Sequence, residues 1–104
     1  MTPKQLYILQ TLQAYRLTPQ TTLPSSRSSR QLAASLFDQG VPLQTVQSAM
    51  LLVAVRRLFR PPQAAPLPPI RTLHYFLPVI EEIMLNPLPH DYVLYLQTKL
   101  HRLS

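Results

Sequence analysis

A single all-α domain is the fold class the sequence predicts, on three observations. Gly40 is the one glycine among 104 residues, whereas β hairpins lean on glycine for their turns. Apolar residues return every three or four positions over long stretches, the period of one helix face. Most of the twelve prolines bracket those stretches. The length suits one domain, residues 1–104, with a real but modest core.

The first helix is expected from about Pro3 to Arg16. Thr2 can cap it and Pro3 suits the first helical position. Leu6, Leu9, Leu12 and Leu17 give its apolar stripe, widened by Tyr7 and Ile8. TPQTTLPSSRSS, 18–29, is polar and aperiodic, and reads as a flexible loop or a linker that frees the first helix. A second helix should begin near Ser26 or Ser28 and end at Gln39, with Gly40 at the left-handed residue beyond it. Leu32, Ala33, Leu36 and Phe37 are its buried stripe.

Pro42 opens a third helix, Leu43 to Phe59, with Val46, Met50, Val53 and Leu58 as core candidates. Its middle, AMLLVAV, is apolar on most sides, which predicts the central helix. RPPQAAPLPP, 60–69, is a proline-rich connector. Pro69 should open a fourth helix with the stripe Ile70, Leu73, Leu77, Ile80 and Ile83 or Met84, ended by NPLP at 86–89. Pro78 falls inside it and cannot donate to the His74 carbonyl, so this helix either kinks or divides in two. Pro89 opens a fifth helix, where Tyr92, Leu96, Lys99 and Leu103 recur at helical spacing beside Leu100.

Composition narrows the function. The chain is 46% apolar and 13% charged, a globular balance. It has no cysteine, which removes disulfides and thiolate metal sites and suits a cytoplasmic protein. MTPKQLYILQTLQAYRL lacks the features of a signal peptide. AMLLVAV is far shorter than the roughly 20 residues that cross a bilayer, so no membrane partner is expected. Ten Lys and Arg against four Asp and Glu give a net charge of +6, and eight of the ten are arginine. Arginine suits planar contacts to phosphate and guanine edges. A small basic protein of this kind points to a polyanion, DNA first.

Enzymatic chemistry is not expected. Glu81 and Glu82 are neighbours, about 100° apart on a helix, and form no facing acid–base pair. His74 shares a face with Glu81 but reads as a solvated surface. His90, Asp91 and His101 lack the spacing of a metal-ligand set, and Asp91 is explained by a helix start. No glycine-rich phosphate loop occurs. Catalytic residues, metal and cofactors are therefore all expected to be absent.

RQLAASLFDQGVPLQTVQSAMLLVAVRR, 30–57, resembles a helix-turn-helix. Gly40 ends the first helix, Val41 follows, and Val46 lies six beyond the glycine. Leu36 fills an earlier contact position where alanine is more usual. The resemblance implies that Gln44, Thr45, Gln47 and Ser48, at the start of the second helix, enter the major groove. A plain αα-hairpin with a glycine cap is the alternative. Arg56, Arg57, Arg60 and Arg71 lie within sixteen residues that contain no acid. Phe59, Tyr75 and Phe76 stand among or after them, a mixture that suits single strands, where bases stack on rings and guanidinium groups hold phosphates. The competing reading places the aromatics in the core and the arginines at a favourable helix end. Arg27 and Arg30 would add phosphate contacts.

GVPLQTVQSAMLLVAVRR and PPIRTLHYFLPVIEEI, within 40–83, are similar to segments of small helical proteins of bacterial mobile elements and plasmids, found beside or within replication-initiation genes. They also loosely resemble the DnaD-like module of replication initiators. The matching positions are Gly40, Val46, Arg56, Arg57, Ile70, Arg71, Tyr75 and Phe76; the tryptophan of the DnaD-like ending is absent. With the charge, the resemblance implies non-catalytic nucleic-acid binding in replication or maintenance of a mobile element, single-stranded DNA slightly ahead of duplex. The rival expectation is an adaptor that docks on a helicase, initiator or recombination protein through PPQAAPLPP or the Glu81–Glu82 face. Wide apolar stripes on a short chain also allow a homo-oligomer. The direction of the arginines discriminates. One exposed face shared with Arg27 or Arg30 favours nucleic acid, and pairing with Glu81, Glu82 or Asp38 favours the adaptor.

Overall fold

Thr2 Oγ1 accepts a hydrogen bond from the Gln5 amide, and the Gln5 side chain accepts one from the Thr2 amide. This reciprocal cap satisfies two orphan donors and starts α1, Pro3–Leu17. The computed structural model describes residues 1–22 and 27–102. In it α1 is followed by α2 (Arg27–Asp38), α3 (Leu43–Leu58), a 3-10 turn at Leu73–Phe76, α4 (Leu77–Leu85) and α5 (His90–His101). The fold is all-α as predicted; the one β feature among the described residues is a bridge between Thr21 and Ile70. Ser26 and Leu103, expected as a helix start and a stripe residue, lie outside the described residues.

The α2–α3 turn follows its sequence signals closely. Gly40 has φ +76°. Its amide donates to the Phe37 carbonyl and the Val41 amide to the Leu36 carbonyl. These two bonds close α2 in a Schellman motif, with Val41 and Leu36 both in the core. α3 is central as expected, packing on α1, α4, α5 and the 3-10 turn, and Val46, Met50 and Val53 are buried.

α1 keeps Leu12 and Tyr7 of its predicted stripe and loses the other leucines. Leu6, Leu9 and Leu17 are exposed, and the buried face is Tyr7, Thr11, Leu12 and Tyr15. Burying a phenol costs little once its hydroxyl is bonded. Here Tyr7 Oη donates to the Val41 carbonyl and Tyr15 Oη to the Ile70 carbonyl. Tyr7 also meets Phe37 edge to face at 5.3 Å, and Tyr15 meets Phe76 at 6.1 Å. The Tyr7–Val41 bond joins the first half of α1 to the start of α3. Gln20, just past α1, reaches Arg57 in the last turn of α3. The two helices therefore run side by side in one direction. The Lys4–Asp38 pair, 2.9 Å, joins the start of α1 to the end of α2 and sets α2 antiparallel.

The predicted fourth helix is two elements with a later start. Ile70 cannot begin a helix, because its amide donates to the Gln20 carbonyl and its own carbonyl accepts from the Thr22 amide, both at 2.8 Å. The 3-10 turn precedes Pro78, which then sits in the first turn of α4. There its missing N–H has no helical acceptor to lose. Residues 18–22 are tied to Ile70 by these bonds, and α2 begins at Arg27. The stretch expected as a loop through Ser29 is therefore helical over its last three residues.

Candidate functional site

Three helix ends meet at one end of the molecule. α1 finishes there, the antiparallel α2 starts there, and α3 finishes there, beneath the proline-rich connector and the 70–73 segment. The Ile70 carbonyl is a junction, accepting from the Thr22 amide, Thr22 Oγ1 at 3.1 Å and Tyr15 Oη at 3.2 Å. The Leu73 amide donates to Ser29 Oγ at 3.1 Å, which fixes the first turn of α2 against the start of the 3-10 turn.

Arg57 holds this junction from inside. It is only 7% exposed. Its Nε donates to Gln20 Oε1 at 2.7 Å, Nη1 to Tyr75 Oη at 2.9 Å and Nη2 to the Pro68 carbonyl at 2.6 Å. The guanidinium also lies 5.4 Å from the centroid of the Tyr75 ring. A planar fork with five donors can join three separate segments in this way, and an ammonium cannot. The fork also reaches Gln20, whose φ of +67° puts a non-glycine residue in the left-handed region. The expectation that Arg57 is a surface phosphate contact is corrected: its donors face neutral oxygens of the chain itself.

Arg56, one residue earlier and about 100° around the helix, is also committed. Nη1 and Nη2 donate to the two carboxylate oxygens of Glu82 at 3.2 and 2.8 Å. The hydrogen bonds hold the Glu82 carboxyl below its ordinary range and raise the Arg56 guanidinium. Arg60 is half-buried and donates to the Ala65 carbonyl at 2.8 Å, folding the connector over the end of α3.

The remaining predicted cations stand differently. Arg27, Arg30 and Arg71 are exposed, and among the described residues none of them forms an ion pair. The Ser29–Leu73 bond joins the two segments that carry them, since Arg30 follows Ser29 and Arg71 precedes Leu73 by two residues. Arg16, exposed in the last turn of α1, belongs to the same end. Under the connector at this end opens a hollow of about 530 Å³ lined by Arg57, Arg60, Thr21, Thr22 and Gln20, and among the described residues no carboxylate lines it.

The helix-turn-helix residues do not project. Ser48 is buried and Thr45 half-buried. Gln44 and Gln47 are exposed, but with Ser48 they line a groove of about 800 Å³ walled by Leu17 and Thr18 of the α1 end and by His90, Val93, Leu94 and Gln97 of α5. A recognition helix must stand clear of its neighbours to enter a major groove; here α1 and α5 both pack along α3. The aromatics expected to act as one group also divide. Phe76 is core, while Phe59 and Tyr75 are partly exposed.

Sequence reasoning misses the outer face of α5. Tyr92 and Tyr95 are 42% and 54% exposed, with rings 26° from parallel and centroids 6.0 Å apart. The spacing of Tyr92 and Leu96 suggests a core stripe. Tyr92 lies only about 40° from the buried Leu96 around the helix, so helical spacing alone does not separate the exposed tyrosines from the core. Among the described residues no three His, Asp or Glu side chains come together, and no helix is long and apolar enough to cross a membrane. No protein-family model matches the chain, and no curated protein or solved structure matches it either.

Proposed function

We propose that the protein is a non-catalytic nucleic-acid-binding protein that grips the phosphate backbone with the end formed by α1, α2 and α3. The observation that carries this reading is that Arg27, Arg30 and Arg71 are exposed and without ion pairs among the described residues, on two segments joined by the Ser29–Leu73 bond, at the end whose hollow is lined by Arg57 and Arg60. Asp38 lies at the opposite end of α2 against Lys4, and Glu82 is taken by Arg56. Neither competes with a phosphate for the exposed guanidinium groups. Arg57 adds its charge to this end without touching the ligand, since its guanidinium donors are bonded to the chain itself. Affinity of this kind is dominated by counterion release and falls steeply with salt.

Single strands are favoured over duplex, because α1 and α5 pack along α3 and leave no free helix for a major groove. The setting in replication or maintenance of a mobile element rests on the resemblance of residues 40–83. The test is fluorescence anisotropy with labelled single-stranded and duplex oligonucleotides at two salt concentrations. The Arg27→Ala/Arg30→Ala/Arg71→Ala protein should bind both more weakly. On a single strand, the slope of log affinity against log salt should drop by about 0.7 for each phosphate that the variant no longer neutralises. An unchanged slope would remove the arginine end as the site.

One observation favours a second reading, an adaptor that receives a partner helix. The α1–α3–α5 groove presents Leu17, 77% exposed, and Leu94 at its walls, the kind of surface into which an amphipathic helix lays its apolar face. The Arg56–Glu82 pair points the same way, since it neutralises a cation on the surface. If the wild-type chain binds neither strand at low salt, this reading replaces the first.

A further inference from the structure

Four side chains form a continuous path from the end of α3 along α5. Lys99 Nζ lies 4.3 Å from the centroid of the Phe59 ring and 5.8 Å from that of Tyr95. Tyr95 in turn lies against Tyr92 at 6.0 Å with the rings close to parallel. Phe59, Tyr92 and Tyr95 are each partly exposed. Tyr92, Tyr95 and Lys99 fall at i, i+3 and i+7, one face of the helix. Phe59 is next in sequence to Arg60, which lines the arginine-bearing hollow, so the path begins where the proposed phosphate grip ends.

We propose that this path is a base-stacking track for an unpaired nucleic-acid strand. This rests on the phosphate-binding reading of the arginine end and extends it. Exposed rings held near parallel accept the faces of bases whatever their sequence, and a cation between rings meets the phosphate that follows. Lys99 lies over the Phe59 ring in a cation–π contact that ties α5 to the end of α3. One carboxylate lies at the far end of the path, Asp91, next to Tyr92 in the first turn of α5. It disfavours phosphate beyond Tyr92, which ends the track there. A duplex keeps its base faces stacked and offers this path nothing but phosphates.

The chain has no tryptophan and five tyrosines, so tyrosine fluorescence reports on the track directly. The experiment compares the wild-type chain with Tyr92→Ala/Tyr95→Ala and Tyr92→Phe/Tyr95→Phe, using a labelled oligothymidylate and a blunt duplex at two salt concentrations. Loss of both rings should weaken oligothymidylate binding about a hundredfold, roughly tenfold for each ring. Duplex affinity and the salt slope should not change, because every phosphate-binding cation is kept. The phenylalanine pair should bind as the wild type does. Oligothymidylate should quench the tyrosine emission of the wild type, with most of that quenching absent from the alanine pair. Both tyrosines are exposed, so thermal unfolding of the alanine pair should match the wild type and exclude misfolding as the cause.

Equal binding by wild type and alanine pair would overturn the track and leave the arginine grip standing. Equal losses on both strands would also overturn it. Absence of binding by the wild-type chain at low salt would overturn track and grip together. If the wild type sediments as a dimer and the alanine pair as a monomer, the face is a protein interface and the track is wrong.

Discussion

Two sets of arginines occupy the same end of this molecule and do opposite things. Arg57 lies under the connector with three of its nitrogens bonded to the chain. Arg27, Arg30 and Arg71 lie on the rim outside it, exposed and without ion pairs among the described residues. The inner set fixes the shape of the end, and the outer set gives it a surface charge. The same residue type is structural where it reaches three oxygens from separate segments, and open to a ligand where water is its main partner. Charge in the sequence therefore states how many cations there are, and their neighbours in space state how many are left over.

The sharpest way to break this contrast is at Arg57. Arg57→Ala leaves Gln20 Oε1, Tyr75 Oη and the Pro68 carbonyl without their donor and should cost about 3 kcal/mol, read by urea denaturation. Arg57→Lys should recover less than half of that, because one ammonium cannot reach all three acceptors. A loss under about 1 kcal/mol for the alanine variant would mean that Arg57 does not hold the junction. The tyrosines come next. Tyr7→Phe, which takes the side-chain donor from the Val41 carbonyl, should cost about 1 kcal/mol. Tyr15→Phe should cost less, since the Ile70 carbonyl keeps both donors from Thr22; the reverse order would show that this carbonyl does not share its load.

Thr11 sharpens the same point from the other side. Its hydroxyl is buried in α1 and has no hydrogen-bond partner among the described residues. Thr11→Val keeps the shape and removes the unsatisfied group, and should raise stability by about 1 kcal/mol in the same denaturation experiment. The rim should be the least sensitive region. Arg27→Ala/Arg30→Ala/Arg71→Ala should alter stability by no more than about 0.5 kcal/mol per residue, whatever it does to ligand binding.

The smallest effect expected is that of pH on the Arg56–Glu82 pair. The folded Glu82 carboxyl is held below its ordinary range, first by the hydrogen bonds from Arg56. The pair therefore contributes stability at neutral pH and loses it as pH falls below the ordinary carboxylate range and through the folded value. Both side chains are half exposed and screened by solvent, so the contribution is slight. Melting temperatures of wild type and Glu82→Gln should differ a little at neutral pH and converge in acid. A constant difference across that range would assign the effect to packing.

Local signals in this chain are legible wherever the physics is local. Thr2 caps α1, Gly40 closes α2, Pro42 and Pro89 precede α3 and α5, and the apolar middle of α3 marks the central helix. Each depends on residues within about one helical turn. The features that escape the sequence depend on partners that local sequence does not supply. Periodicity prefers leucine to tyrosine on α1, because the carbonyls that satisfy Tyr7 and Tyr15 lie 34 and 55 residues away. It gives Ile70 to a helix, because the bonds from that residue to Gln20 and Thr22 cross the fold. Arg56 and Arg57 look like one basic patch in the sequence, yet a helix turns about 100° between neighbours. One therefore faces Glu82 on α4 and the other faces Gln20, Pro68 and Tyr75. By itself the sequence determined an all-α chain, its caps and breaks, and a surplus of positive charge. Only the tertiary structure decided which cations are consumed and which stay outside, because a charge is committed by oxygens brought within about 3 Å of it by distant parts of the chain.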